Sequence, residues 1–198
     1  MSTELQGKTI AIVATEGVEQ VELVEPRKAL EEAGARTVLI SPATTAKIKA
    51  WNSKRWGRSY AVEQRIGEAR PEDYDALLLP GGVMNPDKLR RMQPVLDFVK
   101  SFFEAGKPVA AICHAPWTLI DAGVVKGLRL TSYHSVQTDL KNAGADWVDE
   151  EVVEDRNLVT SRSPQDIPAF NRRIIEKFQG PASERAQRGG EQGDQIAA

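Results

Sequence analysis

The sequence contains a single cysteine, Cys113, among 198 residues. One cysteine excludes a disulfide within the chain and a metal site built from several thiolates, and it fits a reducing compartment. Histidine is nearly as scarce, because His114 and His134 are the two examples. Any chemistry that pairs the thiol with an imidazole therefore has two candidates for the base.

An excess of charge of one sign and long apolar runs are also missing. The chain has 26 Lys and Arg against 28 Asp and Glu, a net charge of -2, so we expect neither nucleic acid nor a membrane as a partner. No apolar run approaches the length of a membrane span, and the N-terminus lacks a signal-peptide pattern. We therefore expect a cytoplasmic protein.

The length fits one α/β domain, which we place at residues 1–180. Residues 181–198 are rich in Gly, Gln, Ala and charged residues, and we expect them to form a flexible polar tail. Within the domain, short apolar runs alternate with amphipathic segments. The runs predict strands at residues 9–14, 37–40, 76–79, 109–112 and 158–161. This alternation predicts a mostly parallel sheet with helices on both faces.

Other segments are predicted from local signals. Residues 46–64 favour edge strands or a hairpin, and residues 128–133 favour a strand. Proline should kink or delay the first helix at Pro26 and interrupt a later helix at Pro94. Ser163, followed by a proline, is predicted to cap the last helix.

The apolar run at 109–112 ends on Cys113 and is followed by Pro116, which suits the first turn of a helix. Cys113 is therefore predicted at a strand-to-helix turn, on the sheet edge where α/β proteins bind ligands. We expect the helix N-terminus to lower the pKa of the thiol. A lone cysteine is more often an inert core residue, but this junction favours a reactive thiol.

Two further loops should reach the same edge. Glu16 and Glu19 follow the first strand, and one of them is predicted to stabilise the thiolate by a hydrogen bond. Gly82 lies in the PGG turn after the 76–79 strand. We predict an oxyanion hole formed by the backbone amides of Gly82 and His114, and we favour His114 over His134 as the base.

Several motifs together resemble one family. These are AICHAPW, the upstream LLLPGG, VEQVELVEP near the start, and the stretch from KNAGADW to RRIIEKF. Over residues 8–178 the chain looks like the PfpI-like intracellular protease/deglycase family of the class I glutamine amidotransferase-like superfamily. The resemblance implies a flavodoxin-like three-layer sandwich, with Cys113 as nucleophile, His114 as its partner and Glu19 as the acid hydrogen-bonded to the thiol.

The resemblance also implies a homo-oligomer, either a dimer or a trimer of dimers. In that family a third acid comes from a neighbouring subunit and orients the histidine, and in this sequence it maps to Asp87. We expect no cofactor and no metal.

The implied activity is thiolate addition to a carbonyl. We rank first an enzyme of the glyoxalase III or deglycase type that acts on methylglyoxal, glyoxal or early glycation adducts, with a small carbonyl or a glycated protein or peptide as partner. An intracellular cysteine peptidase is the alternative. A second alternative is a redox-sensing or chaperone-like stress protein that uses oxidation of Cys113.

Overall fold

The computed structural model describes residues 3–180, so the predicted flexibility of residues 181–198 lies outside the described part of the chain. The strands are β1 Thr9–Val13, β2 Arg36–Ser41, β3 Lys47–Asn52, β4 Arg55–Ala61, β5 Gln64–Arg65, β6 Ala76–Leu79, β7 Val109–Ile112, β8 Arg129–Leu130, β9 Asp146–Trp147, β10 Val152–Asp155 and β11 Leu158–Ser161. The α-helices are α1 Gln20–Glu32, α2 Met84–Leu89, α3 Gln93–Glu104, α4 Pro116–Asp121, α5 Gln137–Asn142 and α6 Ile167–Gln179.

Seven strands form the central sheet, in the order β10-β11-β7-β6-β1-β2-β5. All neighbours pair in parallel except β10 and β11, which are antiparallel. Because β1, β6, β7 and β11 run in the same direction, the loops that follow them meet at one edge. The sheet confirms the predicted mostly parallel, flavodoxin-like α/β architecture.

Each face of the sheet has its own apolar core, which makes the fold a three-layer sandwich. On one face Phe98 and Phe102 of α3 pack with Leu119 of α4, and on the other Leu30 of α1 packs with Phe170 of α6. Burying each of these side chains contributes about 1.5–3 kcal/mol of hydrophobic free energy. The central strands are buried on both faces, which explains their continuous apolar runs.

Several local predictions are confirmed and several are wrong. Residues 47–61 form the predicted hairpin, β3–β4, and the helix is interrupted at residues 90–92, just before Pro94 in the first turn of α3. Pro26 lies buried inside α1, which starts at Gln20, so the proline does not delay the helix, and the kink that it could cause stays a prediction. The strand expected at 128–133 is shorter in the structure, where it consists of β8 alone, and β8 pairs with β9 outside the central sheet.

The start of the last helix also differs from the prediction. Ser163 makes no capping hydrogen bond with its side chain, and a 3-10 turn at Pro164–Asp166 precedes α6. Asp166 is instead buried and accepts two hydrogen bonds from the Arg162 guanidinium. Within residues 3–180, no helix has the length and apolar character needed to cross a membrane.

Candidate active site

Cys113 follows β7 directly and has a φ of 64°. This left-handed conformation is unfavourable for a side chain larger than glycine, so the surrounding structure has to hold it in place. The Cys113 N–H donates to the carbonyl oxygen of Ser161 at 3.0 Å, and its own carbonyl accepts from the N–H of Tyr133 at 2.9 Å. Two neighbouring segments therefore fix the predicted elbow.

The thiol is buried, with 6% of Cys113 exposed. Burial raises the pKa of the thiol, and the nearby carboxyl of Glu22 raises it further when it is ionised. Backbone hydrogen bonds from Gly82 and His114 act in the opposite direction on the same pKa but do not outweigh burial. The predicted lowering of the thiol pKa is therefore wrong, because desolvation at this depth exceeds the effect of the short helix α4, which begins three residues later.

The acid next to the sulfur is Glu22, which no part of the sequence prediction named. Glu22 is fully buried on α1, and its Oε2 accepts a hydrogen bond from the N–H of Gly81 at 2.9 Å. The carboxyl lies close enough to the Cys113 thiol for hydrogen bonding to influence its pKa, although Oε1 has no partner of normal hydrogen-bond geometry within residues 3–180. Burial raises the pKa of Glu22 to about 8, so its carboxyl is largely protonated at pH 7.

The structure contradicts the prediction that Glu19 contacts the thiol. Glu19 precedes α1 at the rim of the cleft, where its Oε1 accepts from the N–H of Ser53 at 3.2 Å. Partial burial raises its pKa. Glu16 is also turned away and accepts from the N–H of Lys49. Glu19 is the N-cap residue and has an extended backbone just before α1, whereas Glu22 lies inside the helix on its buried face.

A signal for Glu22 was present in the sequence. Glu22, Pro26 and Leu30 are spaced by four residues, and all three lie on the buried stripe of α1. A carboxyl within an apolar stripe is uncommon unless it has a partner in the protein interior. The pattern therefore indicated a buried acid, whereas the position of its partner depended on tertiary structure.

His114 contacts the sulfur directly, with Nδ1 at 3.0 Å from Sγ of Cys113. The imidazole is stacked on the ring of Tyr133 at 4.7 Å between centroids and lies 5.1 Å from the ring of Trp117. Burial, together with the neighbouring His134, lowers the pKa of His114 to about 4, so the ring is neutral at pH 7. The structure thus brings His114 and Cys113 together, whereas His134 is exposed and lies beside Tyr133.

Ser135 is a second residue that the sequence prediction missed. Its Oγ lies 3.2 Å from Nε2 of His114, on the side of the ring opposite the thiol. Nothing in the local pattern marked Ser135, because the segment that carries it reaches His114 only through the fold.

The PGG turn supplies the backbone amide on the other side of the sulfur. A Cβ atom on Gly81 would lie 2.5 Å from the carbonyl oxygen of Ile112, and Gly82 has a φ of 80°, so both positions require glycine. Buried Asn85 accepts from the N–H of Thr15 at 2.7 Å and donates to the carbonyl of Pro80 at 2.8 Å. Asn85 thereby ties the turn to the loop after β1.

The two amides predicted for the oxyanion hole, those of Gly82 and His114, both reach the Cys113 sulfur. Their role in stabilising an oxyanion stays a prediction. Asp87 is exposed on α2 and makes no hydrogen bond to His114 within the described part of this chain. A contribution of Asp87 to a second copy also stays a prediction.

Cys113, His114 and Glu22 line a cleft of about 660 Å³, to which Trp51 and Ser53 of the β3–β4 segment also contribute. A larger cavity of about 830 Å³ lies at the opposite end of the sheet and includes neither Cys113 nor His114. The chemistry belongs to the smaller cleft, because the thiol, the buried acid and the imidazole are found there. Across residues 3–180, no three His, Cys, Asp or Glu side chains are grouped so that they could hold a metal ion.

Comparison with known proteins identifies the class to which this arrangement belongs. The DJ-1/PfpI family model matches residues 8–177. YraA of Bacillus subtilis, which is provisionally named a cysteine protease, is 42% identical over 168 residues, covering 85% of this chain and 96% of YraA. An uncharacterized protein of Staphylococcus aureus strain Mu50 is 43% identical over 174 residues, covering 87% of this chain and 99% of that protein.

Solved structures show the same likeness. A two-domain protein of Anabaena variabilis with DJ-1/ThiJ/PfpI-like and ferritin-like domains has a TM-score of 0.82 at 37% identity, covering 86% of this chain and 48% of that chain. DJ-1beta of Drosophila melanogaster has a TM-score of 0.79 at 28% identity, covering 96% of this chain and 97% of its own. At family level these matches support a cysteine enzyme of the hydrolase type. The chain belongs to the DJ-1/PfpI family.

Proposed function

We propose that this protein is a stress-protective enzyme that acts on methylglyoxal, glyoxal or early glycation adducts through addition of the Cys113 thiolate to a carbonyl. The observation that carries the proposal is the contact of one buried sulfur with a protonated acid, a neutral imidazole and two backbone amides. Such a sulfur can lose its proton to the imidazole, and the thiolate that results is stabilised by hydrogen bonds.

The first step forms a hemithioacetal. The Cys113 thiolate attacks the aldehyde carbon of methylglyoxal, and the carbonyl oxygen becomes an oxyanion that the amides of Gly82 and His114 can stabilise. Losing one such donor typically costs about 3–4 kcal/mol of transition-state stabilisation. Protonation of the oxyanion then gives the neutral hemithioacetal.

The second step moves a proton between the two adjacent carbons before water releases lactate. This transfer needs a group that both accepts and donates a proton near the operating pH. The pKa of Glu22, raised by burial to about 8, meets this requirement. Glu22 also lies close to the sulfur and therefore close to the carbons that would be attached to it.

The burial of the site favours a small substrate. Cys113 is 6% exposed and His114 is 7% exposed, so little of the sulfur is accessible to a substrate. An aldehyde presents a small electrophilic end to such a buried sulfur, whereas a peptide bond carries chain on both sides and requires an extended groove. The provisional name of YraA keeps an intracellular cysteine peptidase as the second candidate.

The deciding experiment compares consumption of methylglyoxal by the wild type and by Cys113→Ser at equal protein concentration. We expect the variant to lose nearly all turnover, since the hydroxyl is a far weaker nucleophile at neutral pH. Equal rates would rule out the proposal. A fluorogenic-peptide assay on the same pair tests the peptidase, and stoichiometric sulfinate at Cys113 under mild peroxide without any turnover would favour the redox sensor.

We also propose that the protein is a homo-oligomer in which Asp87 of one copy acts across the interface at the active site of another. The exposure of Asp87 on α2 leaves its carboxylate available for such a contact. Asp87→Ala should lower turnover by about tenfold while the protomer keeps its free energy of unfolding. Unchanged turnover in Asp87→Ala, with the oligomer intact by light scattering, would remove Asp87 from the site.

A further inference from the structure

Both ring nitrogens of His114 have partners. Nδ1 lies 3.0 Å from Sγ of Cys113, and Nε2 lies 3.2 Å from Oγ of Ser135. A neutral imidazole carries one proton, so one nitrogen donates while the other accepts. A serine hydroxyl can do either, which allows His114 to adopt both tautomers, whereas an ionised carboxylate at the same place would only accept.

His114 is poorly suited to carrying two protons. With its pKa lowered to about 4 by burial, about one molecule in a thousand would hold an imidazolium at pH 7. Transfer of the thiol proton to Nδ1 is therefore easier if the proton on Nε2 leaves at the same time. Ser135 Oγ is the group placed to receive it.

The ring is held so that the two nitrogens keep these partners. Tyr133 stacks on one side at 4.7 Å, and Trp117 lies against it at 5.1 Å, so rotation of the imidazole is restricted. Ser135 is exposed, whereas Cys113 is 6% exposed. The serine hydroxyl therefore connects the buried ring to solvent water.

We propose that Ser135 is a positioning residue that lets His114 exchange tautomers and passes its Nε2 proton to solvent. As the S–H bond of Cys113 breaks, a bond forms between the proton and Nδ1. At the same time the Nε2–H bond breaks, Ser135 Oγ gains that proton, and its original hydroxyl proton goes to water. The net change is one proton transferred from the thiol to solvent, with the imidazole and the serine both neutral at the end.

In the thiolate state each hydrogen bond has reversed direction. Nδ1–H donates to the sulfur anion, and Nε2 accepts from the hydroxyl of Ser135. Within this copy, the ionisable groups around the ring are Cys113 and Glu22 on the Nδ1 side, Tyr133 stacked on the ring, and His134 next to Ser135, while the Arg90 guanidinium lies 5.5 Å from the Trp117 ring. In the proposed oligomer, Asp87 of a second copy would join these groups. The inference rests on the thiol chemistry of the proposed function, but its test requires no carbonyl substrate.

The tautomers can be read directly by 15N NMR of the imidazole nitrogens. The chain contains two histidines, so a His134→Gln variant assigns the His114 signals. In the wild type we expect the protonated nitrogen to change from Nε2 to Nδ1 as Cys113 ionises. In Ser135→Ala this change should be lost or displaced to higher pH, while Ser135→Thr should restore it.

The second readout is the rate at which iodoacetamide alkylates Cys113, measured as a function of pH. At pH 7 we expect Ser135→Ala to react about three- to tenfold more slowly, the effect of losing one hydrogen bond that favours the thiolate state. Ser135→Thr should return to the wild-type rate. Thr138→Ala, which removes an exposed hydroxyl from the adjoining α5, is the matched control. It should not change how the alkylation rate depends on pH.

Two results would overturn the inference. One is a wild-type His114 that keeps a single tautomer across the whole titration. The other is a Ser135→Ala protein whose tautomer and alkylation curves coincide with those of the wild type. If methylglyoxal is not turned over but the variants behave as expected here, the proposed substrate is wrong and the role of Ser135 stands.

Discussion

The two ends of the central sheet carry the two largest cavities described here, and they differ in how their polar groups are satisfied. At the amino end, Lys107 Nζ donates to the carbonyls of Pro71 and Tyr74 at 2.9 and 2.7 Å, and Lys177 pairs with Glu154 at 2.9 Å. At the carboxyl end, Glu22 keeps one buried oxygen without a normal hydrogen bond, and Cys113 holds a left-handed φ.

The difference identifies the functional end better than cavity size does. The amino-end cavity is the larger, but Lys107 and Lys177 there have hydrogen-bond or ion-pair partners. The carboxyl-end cleft holds a strained elbow and buried groups with shifted pKa values, which together destabilise the folded state. Strain and desolvated ionisable groups persist mainly where chemistry requires them.

The largest expected effect comes from Glu22→Gln at the carboxyl end. The amide keeps the shape of the side chain and can still accept from the N–H of Gly81, but it cannot transfer a proton. Turnover of methylglyoxal should fall by about 10²- to 10⁴-fold, which is the rate increase that a positioned general acid or base typically contributes. The measurement is kcat at pH 7 in a protein of unchanged circular dichroism.

Glu25→Gln is the matched control, because it makes the same change at an exposed position on the same helix. It should keep wild-type turnover. Full activity in Glu22→Gln would show that the buried acid is structural. Its burial would then no longer distinguish the carboxyl end of the sheet as the functional end.

An intermediate effect concerns the pH dependence of stability. The pKa of Glu22 is raised from 4.5 to about 8 on folding, so the folded state binds the proton more tightly. The stabilisation that this bound proton gives the folded state is fully present below pH 4.5, and it is lost as the pH rises to about 8. The pKa of His114 is lowered from 6.5 to about 4, so its contribution to the unfolding free energy changes between pH 4 and 6.5.

The range from pH 6.5 to 8 therefore separates Glu22 from His114. In this range the wild type should lose up to about 1 kcal/mol of unfolding free energy per pH unit, and Glu22→Gln should lose less. Urea denaturation at several pH values measures both slopes. Identical slopes in the two proteins would contradict the raised pKa.

The smallest effect on activity is expected from Lys107→Met at the amino end. The change leaves the carbonyls of Pro71 and Tyr74 without their ammonium donor, so the unfolding free energy should fall by about 1–3 kcal/mol. Turnover per folded molecule should stay at the wild-type level. A loss of turnover at full folding would mean that the amino-end cavity also takes part in the reaction.

The elbow and the alternation of strands and helices follow from the sequence alone. A short apolar run that ends on Cys113 and leads to Pro116 predicts a strand followed by a helix, and the apolar run before the PGG turn predicts a strand in the same way. These are local properties of consecutive residues. The proximity of Cys113, Gly82 and His114 could therefore be predicted from parallel strands that end at one edge.

The acid that lies next to the sulfur and the direction of each pKa shift depend on contacts between distant segments. Glu19 ends as the extended N-cap before α1, and the packing of α1 against the sheet places Glu22, in the first turn of the helix, in the protein interior. Ser135 reaches His114 across 21 residues of chain. The direction of each pKa shift follows from depth and neighbours, which is why the thiol expected to be acidic is instead held protonated by burial.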